Sequence, residues 1–139
     1  MASIIYNSFF NDQCTGAIDI DTDSFKAMLV TSTYAPAKSH AKRNAITNEV
    51  TGTGYTAGGA AATPTVAAVD NTNNRQDITW VITPWTTSTI TARGAVIYKN
   101  RGGASSADEL VGYLDFVTDQ SSSGGTFTIS VTTPLRYQN

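Results

Sequence analysis

Strand-like segments divided by turn-rich loops are the feature that most constrains how this chain can fold. In the clearest segment, residues 89–99, Ile90 and Val96 fall on one face and Ile97 falls on the other. No helix is predicted between the later strands, which disfavours a parallel sheet. The pattern predicts a mainly β protein, an antiparallel β-sandwich or a jelly-roll-like barrel. The other predicted strands are residues 25–31, 65–69, 77–82, 110–117 and 126–132.

One or two short helices are predicted before most of these strands. Ile4, Ile5 and Phe9 lie at helical spacing, so the first 16 residues predict an amphipathic helix that ends near Gly16. The aromatic residues of this region also fit an extended arm. A second helix is predicted over residues 40–46. The C-terminal residues 134–139 are predicted to be a short tail, and residues 1–139 together predict one β-rich domain.

A glycine-rich stretch, residues 48–60, joins the predicted helices to the later strands. A nucleotide-binding loop would need a preceding strand and a following helix, or a Gly-Lys-Ser/Thr sequence, and neither is present. Glycines at this density mark places where the backbone bends or approaches another backbone closely. The stretch is therefore predicted to be a structural hinge, formed by Gly52, Gly54, Gly58 and Gly59.

An acidic repeat, Asp19-x-Asp21-x-Asp23, is similar to the opening of a calcium-binding loop. Such a loop needs glycine at its sixth position and a bidentate glutamate at its twelfth. Those positions hold Ser24 and Val30. The repeat is therefore predicted to be a turn whose carboxylates accept backbone hydrogen bonds, and no metal site is expected.

The remaining composition argues against several functional classes. Charged residues make up 14% of the chain and the formal net charge is −2, so no nucleic-acid-binding surface is expected. The single cysteine, Cys14, excludes an internal disulfide. The N-terminus lacks the regions of a signal peptide and no apolar run reaches membrane-spanning length, so we expect no membrane partner and folding in a cytoplasm.

No catalytic residue is predicted. His40 is the only histidine, and no Gly-x-Ser-x-Gly elbow surrounds a serine. Asp115 and His40 are the least implausible acid–base pair. We expect neither an enzyme activity nor a cofactor.

Arg93 lies in the middle of a predicted strand among apolar neighbours. A charge in such a place needs a partner, because an unpaired charge is costly to remove from water. We therefore predict an ion pair of Arg93, either with Asp115 on a neighbouring strand or across a subunit contact.

Four blocks of sequence, residues 18–30, 48–59, 90–99 and 111–116, carry a resemblance to a known family. The most specific block reads Glu-Val-x-Gly-x-Gly-Tyr-Thr-Ala-Gly-Gly and begins at Glu49. In this order, the blocks resemble small virion structural proteins of tailed bacteriophages, of the head decoration or cement type. The resemblance implies a protein of the outer capsid surface that is present in the host cytoplasm before assembly.

The resemblance also implies partners. A decoration protein binds the major capsid protein, bridges neighbouring subunits and forms a homodimer or homotrimer, without a cofactor. The candidate contact residues are Tyr6, Phe9, Phe10, Trp85, Arg136 and Tyr137. The alternative is a tail or receptor-binding component of the virion, including a glycan-binding module in which Trp85 and Tyr113 would be stacking platforms.

Overall fold

The computed structural model describes residues 3–139 and contains one antiparallel sheet of seven strands in the order β1-β6-β5-β2-β3-β4-β7. The prediction of a mainly β, antiparallel fold is confirmed. The strands and helices are β1 (Ile4–Ile5), α1 (Asn7–Cys14), β2 (Phe25–Val30), a 3₁₀ turn (Arg43–Ala45), β3 (Ala60–Val66), β4 (Arg75–Ile82), β5 (Trp85–Lys99), β6 (Leu110–Phe127) and β7 (Leu135–Gln138).

The sheet curls, so that strands from its two ends face the same interior. Ile5 of β1 and Leu135 of β7 both pack against the core that contains Trp80 of β4. The result is a sandwich-like fold made from one continuous sheet. Curling of this kind follows from the twist of long strands and lets one sheet cover its own apolar face.

A second, smaller core lies on the other face of the sheet. It contains Met28 of β2 and Val96 of β5, together with Tyr6 and Tyr34 from the connecting segments. Strand β2 is therefore buried on both faces along most of its length. This burial explains why β2 is a nearly continuous apolar run in the sequence rather than an alternating one.

Strands β5 and β6 form a long hairpin that differs from the prediction. Residues 119–125 were predicted to be a turn, but they continue β6 and pair with the first half of β5. Between Ala92 and Gly94 the register shifts, because Ala92 pairs with Gln120 and Gly94 pairs with Asp115. Extra residues of β6 therefore bulge out opposite Arg93.

The bulge reverses the alternation along β5. Ile90 belongs to the larger core before the bulge, and Ile97 belongs to the same core after it. Val96 lies in the smaller core. The predicted placement of Ile90 and Val96 on one face was therefore wrong, because a bulge shifts the two-residue period.

The predicted helices are shorter than the sequence indicates. Helix α1 is followed by Gly16 with a φ of 75°, as expected for a C-terminal cap. The predicted second helix is reduced to the 3₁₀ turn Arg43–Ala45, and the predicted tail forms β7 against β4. Within residues 3–139, no helix is long and apolar enough to span a membrane.

Candidate functional site

Three of the six predicted contact residues lie in the core. Tyr6 and Phe9 are fully buried, and the Tyr6 hydroxyl lies 2.9 Å from that of Tyr34. Trp85 is 5% exposed, with its ring centroid 6.0 Å from that of Phe127. The structure therefore places Tyr6, Phe9 and Trp85, which are predicted to contact a partner, inside the protein instead. Phe9 and Trp85 belong to the larger core, and Tyr6 belongs to the smaller core on the second face of the sheet.

The other three predicted contact residues lie around α1 and β7. Phe10 is 52% exposed. Arg136 forms an ion pair with Asp77, with Nε 2.7 Å from Oδ1. Tyr137 is half-buried and its hydroxyl donates to Gln13 of α1. Phe10 is thus an exposed apolar side chain on a helix that β7 holds in place.

The glycine-rich stretch lies flat across β2 and β5. Gly54 has a φ of 79°, and an added Cβ there would lie 2.8 Å from the Cα of Ser88. Gly59 has a φ of 81°, and its added Cβ would overlap the carbonyl oxygen of Ala27. Glycine is required at both positions by backbone conformation and by close approach. At Gly52 close approach alone requires glycine, because an added Cβ would overlap the carbonyl oxygen of Thr89.

A hydrogen-bonded clasp closes this stretch. Glu49 Oε1 accepts from the Tyr55 hydroxyl at 2.8 Å and from the backbone N–H of Gly58 at 2.6 Å. The Tyr98 hydroxyl donates to the Gly58 carbonyl at 2.6 Å. Burial raises the pKa of Tyr55, and the neighbouring Glu49 carboxylate raises it further. The predicted hinge is therefore a fixed segment of the fold.

A charged cluster that the sequence analysis missed joins three loops. Asp108 is fully buried, and its Oδ2 lies 2.7 Å from Nε of Arg43. Its Oδ1 accepts from the backbone N–H of Arg101 at 2.9 Å. The guanidinium of Arg43 lies 5.1 Å from the ring centroid of Tyr98. The adjacent acidic residues Asp108 and Glu109, just before β6, were the signal available in the sequence.

Glu109 is the second carboxylate of this cluster. Its oxygens lie 2.9 Å from Nζ of Lys42 and 2.9 Å from Nε of Arg101. Burial alone would raise the pKa of Glu109, but the hydrogen bonds from Arg101 and Lys42 outweigh burial and lower it to about 2. All these partners are cations or backbone groups of the chain itself, so the cluster stabilises the loops that it joins.

The ion pair predicted for Arg93 is formed with Asp119. The distance from Arg93 Nε to Asp119 Oδ1 is 2.7 Å, and both side chains are partly exposed. Asp115, the expected partner, lies opposite Gly94, and its Oδ1 accepts from the backbone N–H of Val117. The bulge in β6 brings Asp119 rather than Asp115 to Arg93.

A cleft with a volume of about 560 Å³ lies where the two ends of the sheet approach each other. Its lining includes the buried side chains of Trp80, Ile97 and Val111. Half-buried apolar side chains surround them: Ile5, Leu114, Phe116, Ile129, Val131 and Leu135. The cleft is thus suited to apolar contact.

The residues considered for chemistry are held in structural contacts. Asp23 accepts from the backbone N–H of Asp19 at 2.8 Å and pairs with Lys99 at 2.6 Å. His40 Nδ1 lies 3.0 Å from the Tyr34 hydroxyl. Tyr113, a proposed glycan platform, is 3% exposed. In residues 3–139, no group of three or more acidic, histidine or cysteine side chains is placed to hold a metal ion.

Comparisons with protein-family models, curated proteins and solved structures found no match to this chain. The resemblance drawn from the four sequence blocks therefore stays a prediction.

Proposed function

We propose that this chain is a structural protein of a tailed-bacteriophage virion, of the head decoration type. It binds the major capsid protein on the outer capsid surface, bridges neighbouring subunits and self-associates. It needs no catalytic group or cofactor for this task. Many weak contacts repeated over a symmetric shell add up to strong attachment.

The observation that supports this proposal is the position of the four blocks that carry the resemblance. Block 18–30 contains β2, which pairs with block 90–99 in β5. Block 111–116 lies in β6, which pairs with β5 on its other side. Block 48–59 crosses both β2 and β5. The blocks therefore form one contiguous unit of the fold, as expected if they are the shared scaffold of a family.

A surface without charged side chains lies beside this unit and is suited to broad contacts. We call it the β3–β4 face; its exposed side chains are Ala61, Thr63, Thr65, Thr79 and Val81. Thr63 pairs with Val81, and Thr65 pairs with Thr79, so they lie on one side of the sheet. Val81 is 70% exposed. Interfaces are depleted of charged residues at their centre, and this surface has that composition.

The alternative of a glycan-binding tail component lacks a supporting observation. Its two stacking platforms, Trp85 and Tyr113, are both buried. A sugar ring needs an exposed aromatic face for stacking, so these residues do not provide one.

Two measurements test the proposal. Immunogold electron microscopy should label the heads of virions, and purified protein should sediment with expanded capsids. Val81→Lys should weaken capsid binding about tenfold or more, because a lysine buried in an uncharged interface must lose its hydration. Ser123→Lys, an exposed substitution on β6, is the control and should bind as the unmodified protein does.

The proposal fails if the protein does not bind expanded capsids but binds cells or polysaccharide. Labelling confined to the tail would also overturn it. If Val81→Lys and Ser123→Lys bind capsids equally well, the β3–β4 face is not the contact surface.

A further inference from the structure

The segment of residues 128–134, between β6 and β7, has the side-chain pattern of a strand. Ile129 and Val131 are half-buried and line the cleft. Thr128, Ser130 and Thr132 alternate with them and are exposed. This two-residue period is the pattern of a strand with one covered face.

Among the residues that the structure describes, no strand pairs with the backbone of this segment. Within residues 3–139, no hydrogen bond joins the backbone or side chains of residues 128–134 to the rest of the chain. The preceding residue Phe127 pairs with Trp85, and the following residue Leu135 pairs with Ile78. The segment is therefore held at both ends by strand pairs, and within residues 3–139 its backbone donors and acceptors are left for water or for another strand.

We propose that residues 128–132 pair antiparallel with the same residues of a second copy, around a two-fold axis at Ser130. This register places Thr128 opposite Thr132 and Ile129 opposite Val131. Pairing of Thr with Thr and of two β-branched apolar residues stabilises antiparallel strands. The segment is thus complementary to itself, as a two-fold interface requires.

The charge distribution favours a second copy as the occupant. No ionisable residue lies between Asp119 and Arg136. Two copies can therefore approach along this segment without placing like charges opposite each other. Directly opposed residues share a face of the sheet, so the Ile129 and Val131 of the second copy extend the apolar lining of the cleft.

This inference rests on the self-association included in the proposed function but not on capsid binding. It fixes the oligomer as a dimer and names its surface. Strand addition at an unpaired edge takes its strength from backbone hydrogen bonds and its specificity from alternate side chains.

Thiol cross-linking tests the register. In a Cys14→Ser background, Ser130→Cys places two thiols across the two-fold axis, where the opposed Cβ atoms of a hydrogen-bonded pair are about 5.5 Å apart. A short bis-maleimide cross-linker should give a covalent dimer. The control Ser123→Cys, in the same background, should stay monomeric under denaturing conditions. Equal cross-linking of the two variants would overturn the register.

A proline substitution tests the backbone contact. Ser130→Pro removes the N–H at the centre of the pair and should abolish the dimer in light scattering coupled to size-exclusion chromatography. Ser130→Ala keeps that N–H and should remain dimeric. A dimer or trimer that persists in Ser130→Pro would show that self-association uses another surface.

Hydrogen exchange of the unmodified chain tests the inference even if Ser130→Pro does not fold. The amides of residues 128–132 should exchange about tenfold more slowly at a concentration where the dimer forms than at one where it dissociates. A monomer at every concentration, with fast exchange throughout, would overturn the inference. If such a monomer still binds capsids, the dimer inference fails but the proposed binding to the capsid stands. Failure of the dimer and failure of capsid binding are therefore distinguishable.

Discussion

Replacing Arg43 with methionine should destabilise the fold strongly. The change keeps an apolar stem over Tyr98 but removes the cation that pairs with Asp108, which is fully buried. Asp108 would then keep only the backbone N–H of Arg101 as a donor among its described hydrogen bonds. Breaking a buried ion pair costs about 3–5 kcal/mol. Since the Arg43 side chain is 21% exposed, we expect the lower end, about 3 kcal/mol.

Urea unfolding followed by tryptophan fluorescence measures this loss. Trp80 and Trp85 are 6% and 5% exposed, so both indoles move from the core into water when the chain unfolds. With a denaturant slope of about 2 kcal/mol/M, a loss of about 3 kcal/mol lowers the urea midpoint by about 1.5 M. The slope itself should not change if the variant unfolds in one step.

Arg136→Met is the matched control. Its Nε lies 2.7 Å from Asp77, the distance that also separates Arg43 from Asp108. The Arg136 pair is more exposed, so its loss should lower the urea midpoint much less than the loss of the Arg43 pair. Equal losses in Arg43→Met and Arg136→Met would refute the argument that burial sets the strength of the Arg43–Asp108 pair.

Three further predictions concern other parts of the fold. Because the pKa of Glu109 is lowered to about 2, its contribution to the free energy of unfolding is complete above pH 4.5 and is lost as pH falls from 4.5 towards 2. Glu109→Gln should therefore flatten the pH dependence of the urea midpoint in that window. Gly59→Ala should cost more than about 3 kcal/mol by thermal unfolding because its Cβ would overlap backbone, whereas Gly103→Ala, with open space around it, should cost less than about 0.5 kcal/mol. Trp85→Ala should cost about 3–5 kcal/mol, but Phe10→Ala, at an exposed helix position, less than about 0.5 kcal/mol.

Each of these predictions has an outcome that contradicts it. The Glu109→Gln variant could lose stability between pH 4.5 and 2 as steeply as the unmodified chain. In that case Glu109 would not be the cause of the acid sensitivity. Similar melting of Gly59→Ala and Gly103→Ala would contradict the close packing of the glycine-rich stretch. A small loss of unfolding free energy in Trp85→Ala would contradict the burial of Trp85 in the core.

The strands that the sequence predicted well are those whose pattern is set locally. Residues 25–31 and 77–82 coincide closely with β2 and β4. Strand β4 is rich in β-branched and aromatic side chains with a two-residue period, and β2 is a short apolar run that follows turn residues. In both segments the local pattern agrees with the burial.

The later part of β6 could not be predicted in this way. Residues 119–125 are mostly serine and glycine, which favour turns when read alone. They form a strand because β5 supplies a partner, with Thr89 opposite Ser123 and Thr91 opposite Ser121. Pairing with a distant segment outweighed the local preference for a turn. The sequence of residues 119–125 alone does not show that pairing.

Prediction of the candidate site residues from sequence was limited even more by contacts between distant segments. Composition identified aromatic side chains but did not separate the buried Trp85 from the exposed Phe10. Arg93 was expected to have a partner, yet the choice of Asp119 depends on the bulge in β6. The cluster around Asp108 was missed because two of its cations, Lys42 and Arg43, lie far from Asp108 in the sequence.

The position of β1 has a consequence for how the protein is made. Ile4 pairs with Tyr113, so the first strand takes its partner from the last third of the sequence. A ribosome releases the N-terminus long before that partner is synthesised. The sheet therefore closes only after β6 has been synthesised, and contacts of such long sequence separation make folding slow. During this interval Ile4 and Ile5 remain exposed, which makes the nascent chain a candidate for chaperone binding.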